Sequence, residues 1–493
     1  MKKIILCLLA LSMLASSLLL AGCGGNNNEP PKDTTPTVEI ETGVGDNVLT
    51  LPEDLDYGGE KFNILIYNTM VEEFNNFETE KPDSIQSALI SRDSFVQEQL
   101  NVEFMYHKLN GQFNEKEDFS NTVRTSIHGN FQAWDLIGTY SMVAPNLSLS
   151  NSLVDMRTLN NIDFSRAWYP QFMLDAATVN GKTYFATGDA STNLLFAMQG
   201  VAFNTNAANA RGIKEDDLYQ LVYDGDWTLE TMFAMCEDLG AELHGDGVWD
   251  DNDFYPIITS NAAQLDSFYF SSGLTLIDEK EDGTLSISKD VMSEKVLAIY
   301  GLLYDAKQTY KSFHTTDNEK TIMENRCIFS VSPMINFKTH WAEATEQYRI
   351  LPFPKFEAGS TTSYQTFLSM WHTQFCIPAD IDNAERAAAV FEYLGYANYH
   401  SVTPVIFEDM MKLRYSVDSD CSNMFDIMRN GCTYGVASLY YMSFTPGKYW
   451  DAHSMFRNAV LNNVTSWSNH YESKFHAGLD YVIGELNNFY GAE

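Results

Sequence analysis

Cysteine is scarce in this chain, and the scarcity narrows what the protein can be. Seven cysteines stand among 493 residues, and no two form a C-x-x-C pair. A disulfide framework or a structural zinc site is therefore not expected. Basic residues are few as well: 31 Lys and Arg face 66 Asp and Glu, a formal charge of −35. Such a surface repels phosphate backbones and anionic headgroups, which argues against nucleic acid or direct lipid adsorption. After residue 22 no apolar run approaches the ~20 residues that span a bilayer. Catalytic signatures are missing too: there is no H-E-x-x-H, no G-x-S-x-G and no phosphate-cradling glycine loop. With so many acids, some carboxylate pair falls at a glycosidase-like separation by chance, so such pairs carry no weight.

What the chain does have begins at its N-terminus. Lys2 and Lys3 precede an apolar run, Ile4–Leu20, and then Leu20-Ala21-Gly22-Cys23. A basic end, an apolar core and small residues before a cut make residues 1–22 a secretory leader. The cysteine after Leu-Ala-Gly resembles a bacterial lipobox, which implies acylation of Cys23 as the new N-terminus. The expected location is the outer face of the bacterial cytoplasmic membrane. Several acyl chains hold firmly there, because each buried CH₂ contributes ~0.8 kcal/mol. Loss of Lys2 and Lys3 with the leader takes the charge from −35 to −37. Five cysteines remain; Cys421 and Cys432 could pair, but isolated buried thiols are the expected state.

Residues 23–56 read as a flexible tether, rich in Gly, Asn, Pro and acids and too polar to build a core. Folding starts at Lys61, where Phe62, Ile64 and Ile66 alternate in a strand ending at Tyr67-Asn68-Thr69. A helix follows with Ser84 as candidate N-cap and Ile85, Leu89, Val96 and Leu100 on one face. Val102–Tyr106 is again strand-like, a helix covers 115–127, and Trp134–Gly138 is a short buried strand. Strands alternating with helices imply an α/β domain with a mostly parallel sheet. Ligands then sit beyond the carboxyl ends of strands. Asn180-Gly181 between extended runs signals a hairpin.

The order of motifs then becomes informative. A strand, a helix, "WDLI", "LVDM", "AWYP", "NGKTYF", "GDAS", a strand ending "VAFN" and then "DWTLETM" resembles the extracellular solute-binding proteins of ABC importers. More narrowly, it resembles their family 1, sugar-binding branch. The resemblance implies an α/β, two-lobe periplasmic-binding-protein-like (type II) fold with hinge crossings that closes on its ligand. Lobe 1 would take residues 57–200 and 361–400, and lobe 2 residues 201–360. Residues 401–493 read as helical without a clear lobe. The implied function is a monomeric, lipid-anchored receptor that passes a solute, a sugar or oligosaccharide, to membrane permease subunits, with no bond chemistry and no required cofactor.

A sugar site needs flat aromatic surfaces and polar groups that pair hydroxyls once water leaves. Trp168, Trp227, Trp371 and Tyr140 sit at strand ends or helix starts, and Asn68, Asp189 and Met334 at comparable junctions. These seven are the candidate ligand contacts. Residues 242–253 resemble a calcium loop, with Glu242, Asp246, Val248 (through its carbonyl), Asp250 and Asp253 as candidate ligands. His244 stands at a position that calcium prefers as oxygen, so a plain acidic turn is the competing reading. Two other functions compete with the receptor: a surface glycoside hydrolase, which predicts turnover, and an adhesin or scaffold lipoprotein, which predicts no ligand-induced closure.

Overall fold

A computed structural model describes residues 38–41, 45–69, 71–317, 326–339, 348–359, 363–440 and 452–491. The leader, Cys23 and the first part of the expected tether lie outside the described residues.

The first strand follows from its own sequence. In β1 (Glu60–Tyr67) Phe62, Ile64 and Ile66 enter one buried cluster, while Leu65 and Tyr67 enter another on the opposite face. A strand covered on both faces is the parallel-sheet situation. α1 (Ser84–Leu100) returns the chain and β2 (Val102–Leu109) pairs parallel to β1. The cap of α1 is Asp83, not Ser84. Its carboxylate accepts from Gln86 N and Gln86 returns a bond to Asp83 N, a reciprocal capping box. β3 (Leu136–Tyr140) adds on the other side of β1, again parallel.

The chain then crosses to a second sheet. β4 (Gln199–Asn204), β5 (Ile257–Thr259), β6 (Phe313–Thr315), β7 (Phe329–Pro333) and β8 (Tyr348–Leu351) stand in the order β8-β4-β7-β5-β6. β7, β5 and β6 run parallel, and β4 is antiparallel to both β7 and β8. A return crossing delivers β9 (Thr373–Cys376), antiparallel to β3, which completes the first sheet as β9-β3-β1-β2. Each lobe thus has its own sheet, and the strands that build lobe 1 are separated in sequence by those of lobe 2.

The two crossings are held together at one point. Glu73, fully buried, accepts from Ser191 Oγ at 2.6 Å, from Asn193 N at 2.9 Å and from the Thr373 hydroxyl. Burial raises its carboxyl pKa, while these donors pull it back. One side chain therefore ties both hinge segments to the loop after β1.

Two expectations need correction here. Residues 38–41 and 45–56 are not free tether. Val38 and Val48 are buried, Tyr396 Oη donates to Glu39 O at 2.7 Å, and Ala167 N donates to Asp46 O at 2.8 Å. The backbone of this segment supplies acceptors to lobe 1, so its polar composition does not free it. The helical C-terminal part also finds its place. α2 (Ala384–Ala397) packs on lobe 1 and continues through residue 414, where Tyr415 meets Phe337 of lobe 2 at 6.0 Å. Helix Ser419–Asn430 then packs on β8, and α3 (Met455–Leu461) lies beside the turn Ala263–Asp266 of lobe 2. Cys421 and Cys432 are both unpaired thiols.

Candidate functional site

A cleft of about 440 Å³ opens between the two sheets, lined from both lobes. That volume is within the range of small-ligand pockets. Its walls differ in chemistry because different elements supply them.

The lobe 1 wall is aromatic. Tyr140 ends β3, and its hydroxyl accepts from the side chain of Trp371. Trp371 lies on the return crossing and keeps 40% of its surface exposed, far more than the other described tryptophans at strand ends. Ser141 Oγ donates to Met370 O at 2.6 Å and fixes that crossing to the end of β3. Phe113 completes the wall, 44% exposed. Its loop is built by Asn68, whose Oδ1 accepts from Gly111 N at 2.9 Å and whose carbonyl accepts from Gln112 Nε2 at 2.5 Å. Gly111 is required there, since a Cβ would meet the Phe119 ring at 2.5 Å.

The lobe 2 wall is polar. Ser260 and Gln264 follow β5, Asp317 follows β6, Ser332 sits on β7 and Asn336 just beyond it. Asp317 accepts from Asn261 N and Nδ2 at 3.2 and 3.3 Å. Ser330 and Ser332 share a 3.1 Å hydroxyl contact. Arg457 reaches the same wall from α3. Two lining residues, Thr259 of lobe 2 and Ser369 of the crossing, carry buried hydroxyls with no hydrogen-bond partner among the described residues.

Of the seven candidate contacts, the structure brings Tyr140 and Trp371 to the cleft and puts Asn68 under the Phe113 loop. The other four lie elsewhere. Trp168 is fully buried in the lobe 1 core, edge-on to Tyr396 at 5.4 Å. Trp227 is fully buried in lobe 2, its indole N–H on Pro352 O at 2.9 Å and its ring 5.6 Å from Phe329. Asp189 faces the continuation of α2, accepting from Thr403 Oγ1 at 2.5 Å, with Arg429 of helix Ser419–Asn430 at 3.9 Å. Burial raises its carboxyl pKa, and Arg429 opposes the shift. Met334 has a buried side chain behind the lining residues Pro333 and Asn336. His372, next to Trp371, is packed: its Nδ1 meets Ser369 O at 3.0 Å and burial lowers its pKa to about 4.

The acidic turn does not assemble the expected calcium set. Of its four carboxylate candidates Glu242 and Asp253 converge, with His244 as the third member of that group, their ligand atoms within 4.8 Å of one another. Asp246 and Asp250 instead accept from the backbone N–H two residues on, at Val248 and Asn252. Glu242 receives His244 N and Gly245 N, and Asp253 receives Leu243 N and Asp250 N. The Asp246 and Asp250 bonds are Asx-type turn bonds, which short acidic loops make on their own, and Asp253 ties the two ends of the loop together.

Phe113, Gln264, Asp317, Asn336 and Arg457 went unmarked in the sequence. Ser260, Gln264 and Asp317 follow strands of only three residues each, too short for alternation to reveal. Asn336 stands two residues past Met334, within reach of the strand-end rule.

Two α/β lobes joined by crossing strands, with a lined cleft between them, define a ligand-binding protein of the hinged two-lobe class. A family model described as bacterial extracellular solute-binding protein matches residues 106–397. The chain belongs to that family. No curated protein matches it. Among solved structures it is similar to a cyclo/maltodextrin-binding protein complexed with maltotetraose (11% identity, 86% of this chain and 97% of that one, TM-score 0.55). It is similar also to an ABC transporter solute-binding protein from Thermotoga lettingae bound to α-D-tagatose (13% identity, 86% and 100%, TM-score 0.53). A third is the galacto-N-biose-/lacto-N-biose I-binding protein from Bifidobacterium longum (11% identity, 88% and 98%, TM-score 0.52). At these identities the likeness establishes the fold.

Proposed function

We propose that this protein is a lipid-anchored receptor that captures a carbohydrate between its lobes and delivers it to the permease of an ABC importer. The carrying observation is the division of the cleft. Trp371, Tyr140 and Phe113 offer flat apolar surface on one side, and hydroxyls and amides face them on the other. A sugar has the matching pair of features, C–H faces and a ring of hydroxyls. Solved structures of the same fold hold maltotetraose, tagatose and lacto-N-biose, which supports this ligand class.

The mechanism is binding, hinge closure and presentation, with no bond made or broken. Asp317 is the one carboxylate among the described lining residues, and Asn261 engages it. The reading needs no cofactor. Cys23 would carry the anchor, and Cys23→Ser should release the protein from membranes.

The test is a thermal-shift screen of residues 38–493 against mono- and oligosaccharides, peptides and polyamines. A melt raised by several degrees by one saccharide class supports the receptor. Compaction of the protein in small-angle scattering with that saccharide supports closure. A melt raised only by peptides or polyamines rejects carbohydrate as the ligand.

A further inference from the structure

Arg457 enters the cleft from a part of the chain far from every strand end. Its side chain is 13% exposed, and Nη2 lies 3.1 Å from Oδ2 of Asp266, a fully buried carboxylate. Asp266 ends the turn Ala263–Asp266, the same turn that places Gln264 on the cleft wall. One short turn therefore both contributes a lining amide and fixes the guanidinium behind it. His453 Nδ1 lies 3.6 Å from the same Asp266 oxygen. That imidazole is fully buried and stands beside the Arg457 charge, and both conditions hold it neutral.

The charges at this end of the cleft can then be summed. Arg457 is the only basic residue among the described lining residues, and Asp317 the only acidic one. Among the described residues Asp266 offsets Arg457, and Asp317 adds one negative charge. A guanidinium presents five N–H donors in a plane, enough to serve a carboxylate and a ligand oxygen together. Among the described residues an anionic ligand would find no net positive charge and would meet Asp317 besides. An uncharged polyol bears no such penalty.

We propose that Arg457, oriented by Asp266, is a specificity-determining residue of this cleft: it donates to sugar oxygens while its cancelled charge turns away carboxylated and phosphorylated sugars. The inference rests on the carbohydrate reading above and narrows it to uncharged saccharides.

Calorimetric titration of the full-length mature protein with neutral maltotriose and lacto-N-biose, and with uronic-acid-terminated disaccharides, tests it. The neutral ligands that bind should do so at least ~10-fold more tightly than the uronates. Arg457→Gln should weaken the neutral ligand at least ~10-fold, and its unliganded melt should fall below wild type because the buried Asp266 loses its ion partner. Asp266→Asn should uncover the Arg457 charge and shift the uronate-to-neutral affinity ratio ~10-fold toward the uronate. A merely structural Asp266 would weaken both ligands alike and leave that ratio unmoved, which overturns the assignment. Should Asp266→Asn not fold, the wild-type ratio and Arg457→Gln still decide. A neutral sugar bound equally by wild type and Arg457→Gln overturns this inference alone. Binding of no saccharide, neutral or acidic, overturns the carbohydrate reading first.

Discussion

The two walls of the cleft are built in different ways, and the difference explains what each can do. The lobe 1 wall is a few large side chains, on segments whose backbone is held by polar side chains of neighbouring strand ends. Asn68 holds the Phe113 loop, and Ser141 holds the Trp371 crossing through Met370 O. The lobe 2 wall is many small polar groups at the carboxyl ends of three parallel strands, plus Arg457 from a distant helix. Large flat groups supply area and little direction; small polar groups supply direction and little area. Affinity should therefore depend most on lobe 1, and selectivity on lobe 2.

The strongest way to sharpen that contrast is to remove a tryptophan under the lobe 2 wall instead of one on the cleft. Trp227→Ala empties a fully buried site beside Phe329 and orphans Pro352 O. Stability should fall by about 3–5 kcal/mol, read by urea denaturation monitored by circular dichroism. A loss under 1 kcal/mol would show that Trp227 is not core.

A second test sits behind the lobe 1 sheet. Glu392 on α2 is buried, accepts from Tyr169 Oη at 2.7 Å, and burial raises its pKa to about 8. Raised above its unfolded value, this carboxyl favours the folded state fully below about pH 4.5. That contribution is lost as pH rises through about 8. Denaturation curves at pH 5 and pH 8.5 should show wild type losing a few kcal/mol more than Glu392→Gln between the two. Equal losses would place Glu392 in contact with water.

How much of this was legible in the sequence follows from the same physics. β1 could be read because Phe62, Ile64 and Ile66 alternate along it, and the strand-end rule led to Tyr140. Trp168 and Trp227 satisfy the same positional pattern as Trp371, yet they point into the cores. Local sequence gives the position of a side chain at a junction, not which side of the sheet it faces. Arg457 could not be read at all, because its place depends on how residues 452–491 fold back across lobe 2. The end of the tether was misread for the opposite reason. Residues 45–47 are Gly and polar residues, but the carbonyls of Gly45 and Asp46 serve Arg166 and Ala167 of lobe 1, and Val48 just beyond them is buried. Composition reports side chains and is blind to backbone acceptors.

Trp371→Ala addresses the aromatic wall itself. The side chain is 40% exposed in the unliganded cleft, so its removal leaves no closed cavity. It should weaken the saccharide found in the screen by about 1.5–3 kcal/mol, roughly 10- to 150-fold, by calorimetry. The unliganded melt should hardly move. Unchanged affinity would break the comparison outright, since the wall would then contribute no area.

Phe113 tests the same wall where it is least supported. It stands 44% exposed at a loop tip, with Lys116 Nζ 4.3 Å from its ring centroid. Phe113→Ala should cost about 1 kcal/mol of binding, less than Trp371→Ala because less ring surface can be covered from one edge. Asn68→Ala leaves Phe113 in the chain but removes the acceptor that holds its loop at Gly111. If the ring works by being held in place, Asn68→Ala should reproduce most of that loss without touching ligand. If Asn68→Ala binds as wild type while Phe113→Ala does not, the loop finds the ligand by itself. The lobe 1 wall would then be shaped partly by closure and not already in the open protein.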